Sequence, residues 1–351
     1  MRFPALKIKI KLPLVIQSLA ILSLSATGLT GYFVGQEQLR SEAAGNLTGQ
    51  LQSRKTTLEQ YLLSIEQDLR VIAKTDTAIS AVSALASGFV NFGDEAEQKL
   101  QTLYITNNPH DEKERHKLNA SPEDSPYDWA HDRFHPWFRG VMQEKGYKDI
   151  FLVSHKGDLV YSVQKKTDFA TNLLHGPLKD TGLGRAFRQA EEQKELMSAD
   201  EKGMIAFTDL EAYEPSHGAP TSFIATPIFG RDGYNQGILI VELPIGRLNG
   251  VLQESAGMGE TGETYIVGED RLMRSDSRTA DAPTILELTV DNDAVEMALG
   301  GAAGITQTNG LHGATRFSRH TMPWSFTERS GPSSQRWLKP KSFSPSTGCA
   351  T

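Results

Sequence analysis

Residues 149–163 read DIFLVSHKGDLVYSV, and this stretch decides the fold. Two runs within it, 149–154 and 158–163, are rich in branched and aromatic residues, which favour β-strands. Between them, the segment HKGD carries a glycine at position 157 and is typical of a tight hairpin turn. The stretch therefore predicts two antiparallel strands joined by a short turn.

Two further β-rich runs follow, TSFIATPIF (221–229) and GILIVELP (237–244). Helix-forming sequence lies between the two pairs of strands, around 184–195, and again after the second pair, at 245–257. A hairpin, helices and a second hairpin are the element order of a PAS-like module. The chain is therefore predicted to be α+β, with residues 104–256 forming this module.

Residues 257–315 predict a second, partial module of the same kind. A strand, a turn and a strand are predicted over 263–278, a short strand and a helix over 285–301, and a further strand and turn over 304–313. The two long strands that close the first module have no counterpart here. The opening motif GMGETG (257–262) matches G-x-G-x-x-G, but a helix precedes it, so we interpret it as a connector rather than a nucleotide site.

The N-terminus predicts a membrane anchor. Residues 1–11 carry four basic residues and no acidic one, and residues 12–35 follow without a charge. As a helix, the uncharged segment is long enough to cross a hydrocarbon core of roughly 30 Å. The flanking positive charge places the N-terminus in the cytoplasm and the rest of the chain outside. A cleaved signal peptide is the alternative, although its apolar core would be shorter.

Residues 36–103 predict a long amphipathic helix. Its apolar residues recur at spacings of three, four and seven, at Leu51, Leu58, Leu62, Ile65, Leu69 and Ile72. A helix cannot bury such a stripe alone. We therefore expect a homodimer that forms through this helix; the alternative is a helix that packs only on its own domain.

The composition argues against several functions. The 351-residue chain has a net charge of −7, which disfavours nucleic acid as a partner. Its one cysteine, Cys349, lies near the C-terminus, so the body has neither a disulfide nor a thiolate metal site. No Ser-His-Asp grouping, phosphate-binding loop or kinase signature occurs. We expect neither enzyme activity nor a cofactor.

His131 and His135 are four residues apart in DWAHDRFHPWF, so one helical face can present both. Two histidines at this spacing can begin a zinc site, but no His-Glu-x-x-His motif is present, and Pro136 predicts that any helix there ends or is capped. Aromatic packing with histidines at its polar edge is a second interpretation. The third is the rim of a ligand pocket that faces the first sheet.

The basic start KIKLPLVI (9–16), the anchor and the long helix resemble the N-terminal part of bacterial methyl-accepting chemotaxis proteins. The body resembles their double Cache ectodomain, two PAS-like modules on one long helix, most specifically over 131–187 and 257–278. The resemblance covers about residues 1–314. It implies a sensor in the bacterial inner membrane, periplasmic in its bulk, that binds a small polar or anionic ligand.

Similar sensor domains also occur on histidine kinases and nucleotide cyclases, so the resemblance leaves the type of output open. A membrane-tethered periplasmic binding module that signals through a partner is a further alternative.

The resemblance also implies a ligand site in the membrane-distal module. Members that sense amino acids use a Tyr…Arg-x-Trp…Asp pattern, in which Arg grips the carboxylate and Asp the ammonium. A comparable order occurs here, and the expected ligand-binding residues are Tyr127, His131, Arg133, His135, Trp137, Tyr161 and Asp168. The alternatives are that Arg133 pairs on the surface and Asp168 caps a helix, or that the site lies in the second module at Tyr265, Arg271 and Arg274.

Residues 316–351 form a tail of different composition. They hold six Lys or Arg, one Glu and four of the sixteen prolines, and Leu338 is their only Leu, Ile or Val. Back-translation in a shifted frame converts the tail into two β-rich runs and an acidic helical segment. We expect that the tail is out of frame and lacks stable packing, and that the chain is truncated before the family's second membrane helix, HAMP linker and output domain. A genuine Ser/Pro-rich tail is the alternative.

Overall fold

A 66-residue helix, α1 (Ile8–Ala73), forms the N-terminal part of the protein. At a rise of 1.5 Å per residue it is about 100 Å long. It contains an 18-residue window with a mean hydropathy of 1.7, none of which is buried, so its length and composition suit a membrane-spanning helix. The computed structural model describes residues 8–192, 205–260, 262–302, 304–309 and 316–321.

The single long helix predicted over 36–103 is divided in the structure. Helix α1 ends at Ala73, and α2 begins anew at Asp76. Thr75 separates them, because its backbone is extended and its hydroxyl caps α2 by accepting a hydrogen bond from the Ala78 amide at 3.1 Å. The prediction missed this capping threonine inside a helix-forming sequence.

The remaining helices are shorter. They are α2 (Asp76–Val90), α3 (Ala96–Gln101), α4 (Pro126–Lys145), α5 (Gly182–Glu192), α6 (Ile245–Leu252) and α7 (Asp293–Leu299). One turn of π-helix, Thr102–Thr106, extends α3. Short 3₁₀ helices occur at Gly93–Glu95, Glu112–Lys117 and Glu214–Ser216.

The first module is built on a five-stranded antiparallel sheet, and both predicted hairpins are confirmed in it. Its strands are β1 (Asp149–Val153), β2 (Leu159–Ser162), β3 (Ala206–Phe207), β6 (Phe223–Phe229) and β7 (Asn235–Glu242). Their spatial order is β2-β1-β7-β6-β3. Strands β4 (Glu211–Tyr213) and β5 (Ala219–Thr221) form a separate small hairpin beside the sheet.

The sheet is covered on both faces. All residues of β1 and β2 are buried, which happens only when packed elements lie above and below a strand. Helices α2 and α5 both contact β6 and β7, and α4 packs on α2 and β1. One continuous hydrophobic core results, and Leu69 of α1 joins it fully buried.

Much of the predicted dimer stripe is also buried inside the chain. Ile65, Leu69 and Ile72 belong to the core of the first module, and Leu58 packs with Leu252 and Ile266. The C-terminal part of α1 therefore packs against both modules. This leaves other faces of the helix for any partner.

The second module has little regular structure between Glu263 and Thr289. Two isolated bridges, Val267 to Met273 and Leu272 to Thr289, replace the predicted strands there. A small cluster of Met273, Val290 and Val295 forms its apolar centre.

The boundary predicted at residue 315 differs from the structure. Strand β8 (Gly304–Asn309) pairs along its whole length with β9 (Arg316–Thr321), which lies within the predicted tail. Backbone pairing needs only amide and carbonyl groups, so a polar sequence without proline can supply the strand. The expectation that packing ends at 315 is therefore wrong for β9, and the rest of the predicted tail, 322–351, lies outside the described residues.

We predict that Gly88→Ala destabilises the first module. Gly88 lies where α2 crosses α4, and a β-carbon there would sit 2.7 Å from Cα of Tyr127. Since backbone cannot move aside cheaply, the free energy of unfolding should fall by about 1–3 kcal/mol in chemical denaturation. Gly140→Ala is the control, because nothing lies within 4 Å of its β-carbon and alanine favours a helix. Equal stability of the two variants would contradict a close crossing.

Candidate functional site

A buried group of aromatic and basic side chains lies between α4 and β2. We call it the imidazole cluster. Its members share nearly complete burial and mutual ring or hydrogen-bond contacts, and they are Tyr104, Tyr127, His131, His135, Tyr161 and Lys165.

Helix α4 is positioned by its own N-terminus. Ser125 and Asp128 form a capping box, and Pro126 occupies the first turn. Asp128 also accepts a hydrogen bond from the hydroxyl of Tyr104 at 2.6 Å, which ties the helix to the preceding segment. The expected end of the helix at Pro136 is wrong: α4 continues to Lys145.

The two histidines are neutral and adopt opposite tautomers. Nε2 of His135 lies 2.6 Å from the carbonyl of His116 and must donate to it, so Nδ1 accepts from the hydroxyl of Tyr161 at 2.7 Å. Nδ1 of His131 donates to the carbonyl of Asn119 at 2.5 Å. This leaves Nε2 of His131 as a buried acceptor without a partner among the described residues.

The imidazole rings stack with their centroids 4.4 Å apart. Burial, and after it the nearness of Lys165, lowers the pKa of both histidines, that of His135 to about 2. Neither ring takes up a proton near neutral pH, because burial and the nearby Lys165 both disfavour its charged form.

Lys165 completes the cluster and was missed by the sequence analysis. Its Nζ lies 3.3 Å from Nδ1 of His135 and 3.2 Å from the carbonyl of Val163. The rings of Tyr161 and Tyr104 flank it at 5.3 and 5.9 Å. Burial lowers the pKa of this amine well below its usual value. The only sequence signal for its burial was a lysine shortly after a strand that was predicted to be apolar.

A second polar group, the carboxylate cluster, lies at the end of β1 and β7. It consists of Asp149, Lys166, Asp168, Tyr213 and Glu242. Lys166 pairs with Glu242 at 2.5 Å, and the hydroxyl of Tyr213 donates to Oδ2 of Asp168 at 2.7 Å. Burial raises the pKa of Asp149 and of Asp168, although Lys166 opposes the shift. Oδ1 of Asp168 is buried and has no partner within the described part of the chain.

Four of the expected site residues lie together in the imidazole cluster: Tyr127, His131, His135 and Tyr161. Asp168 is also buried, but it belongs to the carboxylate cluster. Arg133 is separated from all of them. Arg133 is exposed, with its guanidinium 5.1 Å from the ring of Phe134. Two residues on a helix are about 200° apart, so Arg133 cannot share the face of His131. The expected Arg133–Asp168 clamp is therefore not formed. Arg133 lies on the surface, as the alternative expected, but the contact it makes is with the ring of Phe134.

Trp137 is half-buried and packs edge-on against Phe138, with centroids 4.8 Å apart. It supports the core rather than the cluster. Asp168 does not cap a helix, since its oxygens lie in the carboxylate cluster.

In the second module the arginines are already paired. The guanidinium of Arg274 binds Asp209 at 2.8 Å and Asp270 at 2.9 Å, and Arg271 pairs with Asp291. Asp209 belongs to the first module, so Arg274 ties the two modules together. A ligand carboxylate at Arg274 would have to displace these partners.

Among the described residues, no group of three His, Cys, Asp or Glu side chains could hold a metal ion. An open groove of about 240 Å³ lies elsewhere, between α1, the end of α4 and α6. Tyr61, Tyr147 and Arg247 line it, and an ion pair of Asp68 with Lys145 at 2.7 Å closes one side. The imidazole cluster differs from this groove because its side chains are fully buried.

No protein-family model and no curated protein matches the chain. The solved structures that it resembles include the sensor domain of the Vibrio cholerae histidine kinase DctB, at 10% identity and a TM-score of 0.43, covering 77% of this chain and 86% of that one. Another is the ligand-binding domain of the Campylobacter jejuni chemoreceptor Tlp3 in complex with 4-methylisoleucine, at 11% identity and a TM-score of 0.44, covering 77% and 82%. A third is the ligand-binding domain of Mlp24 with asparagine, at 13% identity and a TM-score of 0.38, covering 77% and 83%.

We predict a specific pH dependence for His135→Gln. Because the folded pKa of His135 is lowered, its contribution to stability is present above the unfolded value of about 6.5 and is lost as the pH falls below it. Gln keeps the donor and the acceptor but cannot titrate. The stability difference between wild type and variant should therefore shrink by about 2 kcal/mol between pH 7 and pH 5.

The measurement is denaturant unfolding of both proteins at several pH values. The contribution of the aspartates to the pH dependence cancels in the stability difference, because both proteins contain them. His175→Gln, at an exposed position, is the control for the loss of an imidazole outside the core. A stability difference for His135→Gln that stays constant with pH would show that His135 is not held neutral.

Proposed function

We propose that the chain is the extracytoplasmic sensing part of a membrane-anchored signal transducer, and that a small polar molecule binds to its first module. The observation that carries this proposal is that two of the buried side-chain atoms without a hydrogen-bond partner among the described residues, Nε2 of His131 and Oδ1 of Asp168, lie in the two polar clusters of this module. Leaving such an atom unpaired costs about 1–3 kcal/mol, and proteins retain that cost mainly where a ligand or water supplies the missing bond.

The two unpaired atoms also indicate the chemistry of the ligand. Both are acceptors, so each would be satisfied by an N–H or O–H donor of a bound molecule. Asp168 lies in the carboxylate cluster and suits an amine or ammonium group. Nε2 of His131 suits a hydroxyl or amide. Because the side chains of the imidazole cluster are fully buried and contact one another, binding would displace some of these contacts, which gives a ligand a means to change the conformation.

The membrane anchor and its orientation are part of the proposal. The uncharged segment of α1 supports a span, since none of it packs on the modules. The basic residues before it support a cytoplasmic N-terminus in the bacterial inner membrane, with both modules in the periplasm. The sensor would then drive a chemoreceptor-type output, or alternatively the output of a histidine kinase or nucleotide cyclase.

A thermal-shift screen tests ligand binding. The full chain in detergent is screened against small amines, amino acids, hydroxy acids and amides. A ligand at about 100 times its dissociation constant should stabilise the protein by about 2.7 kcal/mol. Asp168→Asn removes the charge while keeping the shape, and it should abolish the shift.

Arg133→Ala is the matched control and should leave the shift intact, since its side chain points away from the cluster. A shift that survives Asp168→Asn but disappears with Arg133→Ala would move the site to the surface of α4 and contradict the proposal.

We further propose a homodimer through faces of α1 that the modules leave uncovered. Leu39, Leu63 and Val71 are apolar side chains exposed by half or more. Their burial against a second copy would stabilise the assembly by about 25 cal/mol for each Å² removed from water.

Cysteine crosslinking in membranes tests this interface. With Cys349→Ser as background, Leu63→Cys should form a disulfide-linked dimer on mild oxidation. Arg133→Cys, exposed on the distal module, should stay monomeric. Both cysteine variants should react equally well with a membrane-impermeant thiol reagent added to spheroplasts. Equal crosslinking at both positions would contradict the interface, and absence of labelling at both would contradict the periplasmic location.

A further inference from the structure

The open groove between α1, the end of α4 and α6 is separate from both buried clusters. Its volume is about 240 Å³, and a small molecule can enter it from solvent without displacing core side chains. Tyr61 and Ile65 of α1 supply its apolar surface together with Tyr147, which follows α4. Pockets for drug-sized ligands are larger, at about 300–1,000 Å³, so this groove suits a molecule with a single ring.

Arg247 of α6 is the cation of this groove that lacks an ionic partner. Its guanidinium lies 5.8 Å from the centre of the Tyr61 ring, and no carboxylate or carbonyl in the described part of the chain pairs with it. A ring covers one face of a stacked guanidinium, but the N–H donors lie in the guanidinium plane and stay available. Arg247 therefore offers a planar fork to an anion that enters the groove.

The other charges of the groove leave Arg247 without a competitor. Both oxygens of Asp68 are engaged, because Nζ of Lys145 lies 2.7 Å from Oδ1 and the hydroxyl of Tyr147 lies 3.3 Å from Oδ2. Glu144 also lines the groove, but it is exposed, so water and salt screen its charge. Its charge weakens the attraction of an anion to this groove without cancelling it.

We propose that the groove binds a small organic carboxylate with a flat apolar body, of the class of an aromatic acid. The carboxylate pairs with the guanidinium of Arg247, and the ring packs against Tyr61 and Tyr147. One guanidinium without a partner suits a single negative charge rather than a phosphate dianion or a dicarboxylate.

A ligand at this place would join α6 to α1. Arg247 belongs to α6 and Tyr61 to α1, and the two helices already pack together through Leu252 and Leu58. The bound acid would strengthen this packing at the point where the first module continues into the second. Neither buried cluster takes part, so this site goes beyond the proposed function and does not depend on it.

Protection from chemical modification tests the site. The full chain in detergent is treated with phenylglyoxal, which modifies accessible guanidinium groups, and peptide mass spectrometry gives the rate at each arginine. Benzoate is the probe, at about 10 mM, since ligands of this size bind with affinities on the order of millimolar. Arg133 is the internal control, because it is also exposed and lies 5.1 Å from a ring, that of Phe134, but outside the groove.

Benzoate should slow the modification of Arg247 by at least about threefold and leave the rate at Arg133 unchanged. Benzamide has the same ring and shape without the charge, and it should protect neither arginine. Equal protection of Arg247 and Arg133 by benzoate, or no protection of Arg247, would overturn the proposal. Protection of Arg247 by benzamide as strong as that by benzoate would overturn the role of the carboxylate.

Three variants test the charges by titration with benzoate, followed by saturation-transfer NMR of its ring protons. Arg247→Gln should weaken binding by at least about tenfold, because charge-assisted hydrogen bonds are lost, and Arg133→Gln should not change it. Glu144→Gln should strengthen binding by about twofold, because it removes a screened like charge. Unchanged affinity in Arg247→Gln, or weaker binding in Glu144→Gln, would overturn the proposal.

Discussion

The structure of the first module depends on the close crossing of α2 and α4 at Gly88. Only a residue without a side chain allows the backbone of Tyr127 to approach this near. The hydroxyl of Tyr127 then reaches the carbonyl of Val160 at 2.7 Å, which fixes α4 against β2. The stacked histidines one and two turns further along α4 come to face Tyr161 for this reason. The site is thus a consequence of helix packing and not of a flexible loop.

Two polar groups of opposite character flank the same sheet. One holds basic and aromatic groups and no carboxylate; the other holds three carboxylates around Lys166. Two consecutive residues belong to different groups: Lys165, with a left-handed backbone, belongs to the first and Lys166 to the second. The module keeps both groups within its core, although charged forms are costly there. Such a core favours the neutral forms of its side chains. A charged or polar ligand that entered it would therefore change their protonation.

The sequence predicted the hairpins, the helices between them and the α+β class, because alternation and turn residues are local signals. Helical spacing also predicted that His131 and His135 share a face. The same spacing, applied to Arg133, would have placed it on the opposite face. The burial of Lys165 could not be predicted, since it depends on a backbone conformation that lysine rarely adopts and on neighbours from α4. Thr75 and β9 were missed because capping and backbone pairing leave little trace in apolar patterns.

The ion pair of Arg274 with Asp209 joins the modules at a particular place. Asp209 lies four residues before Tyr213, whose hydroxyl holds Asp168 in the carboxylate cluster. The segment from Asp209 to Tyr213 therefore links the Arg274 ion pair at the membrane-proximal module to the buried carboxylate cluster of the distal one. A displacement of Asp168 would act on the junction of the modules through five residues of backbone, beside the contacts that α1 makes with both modules.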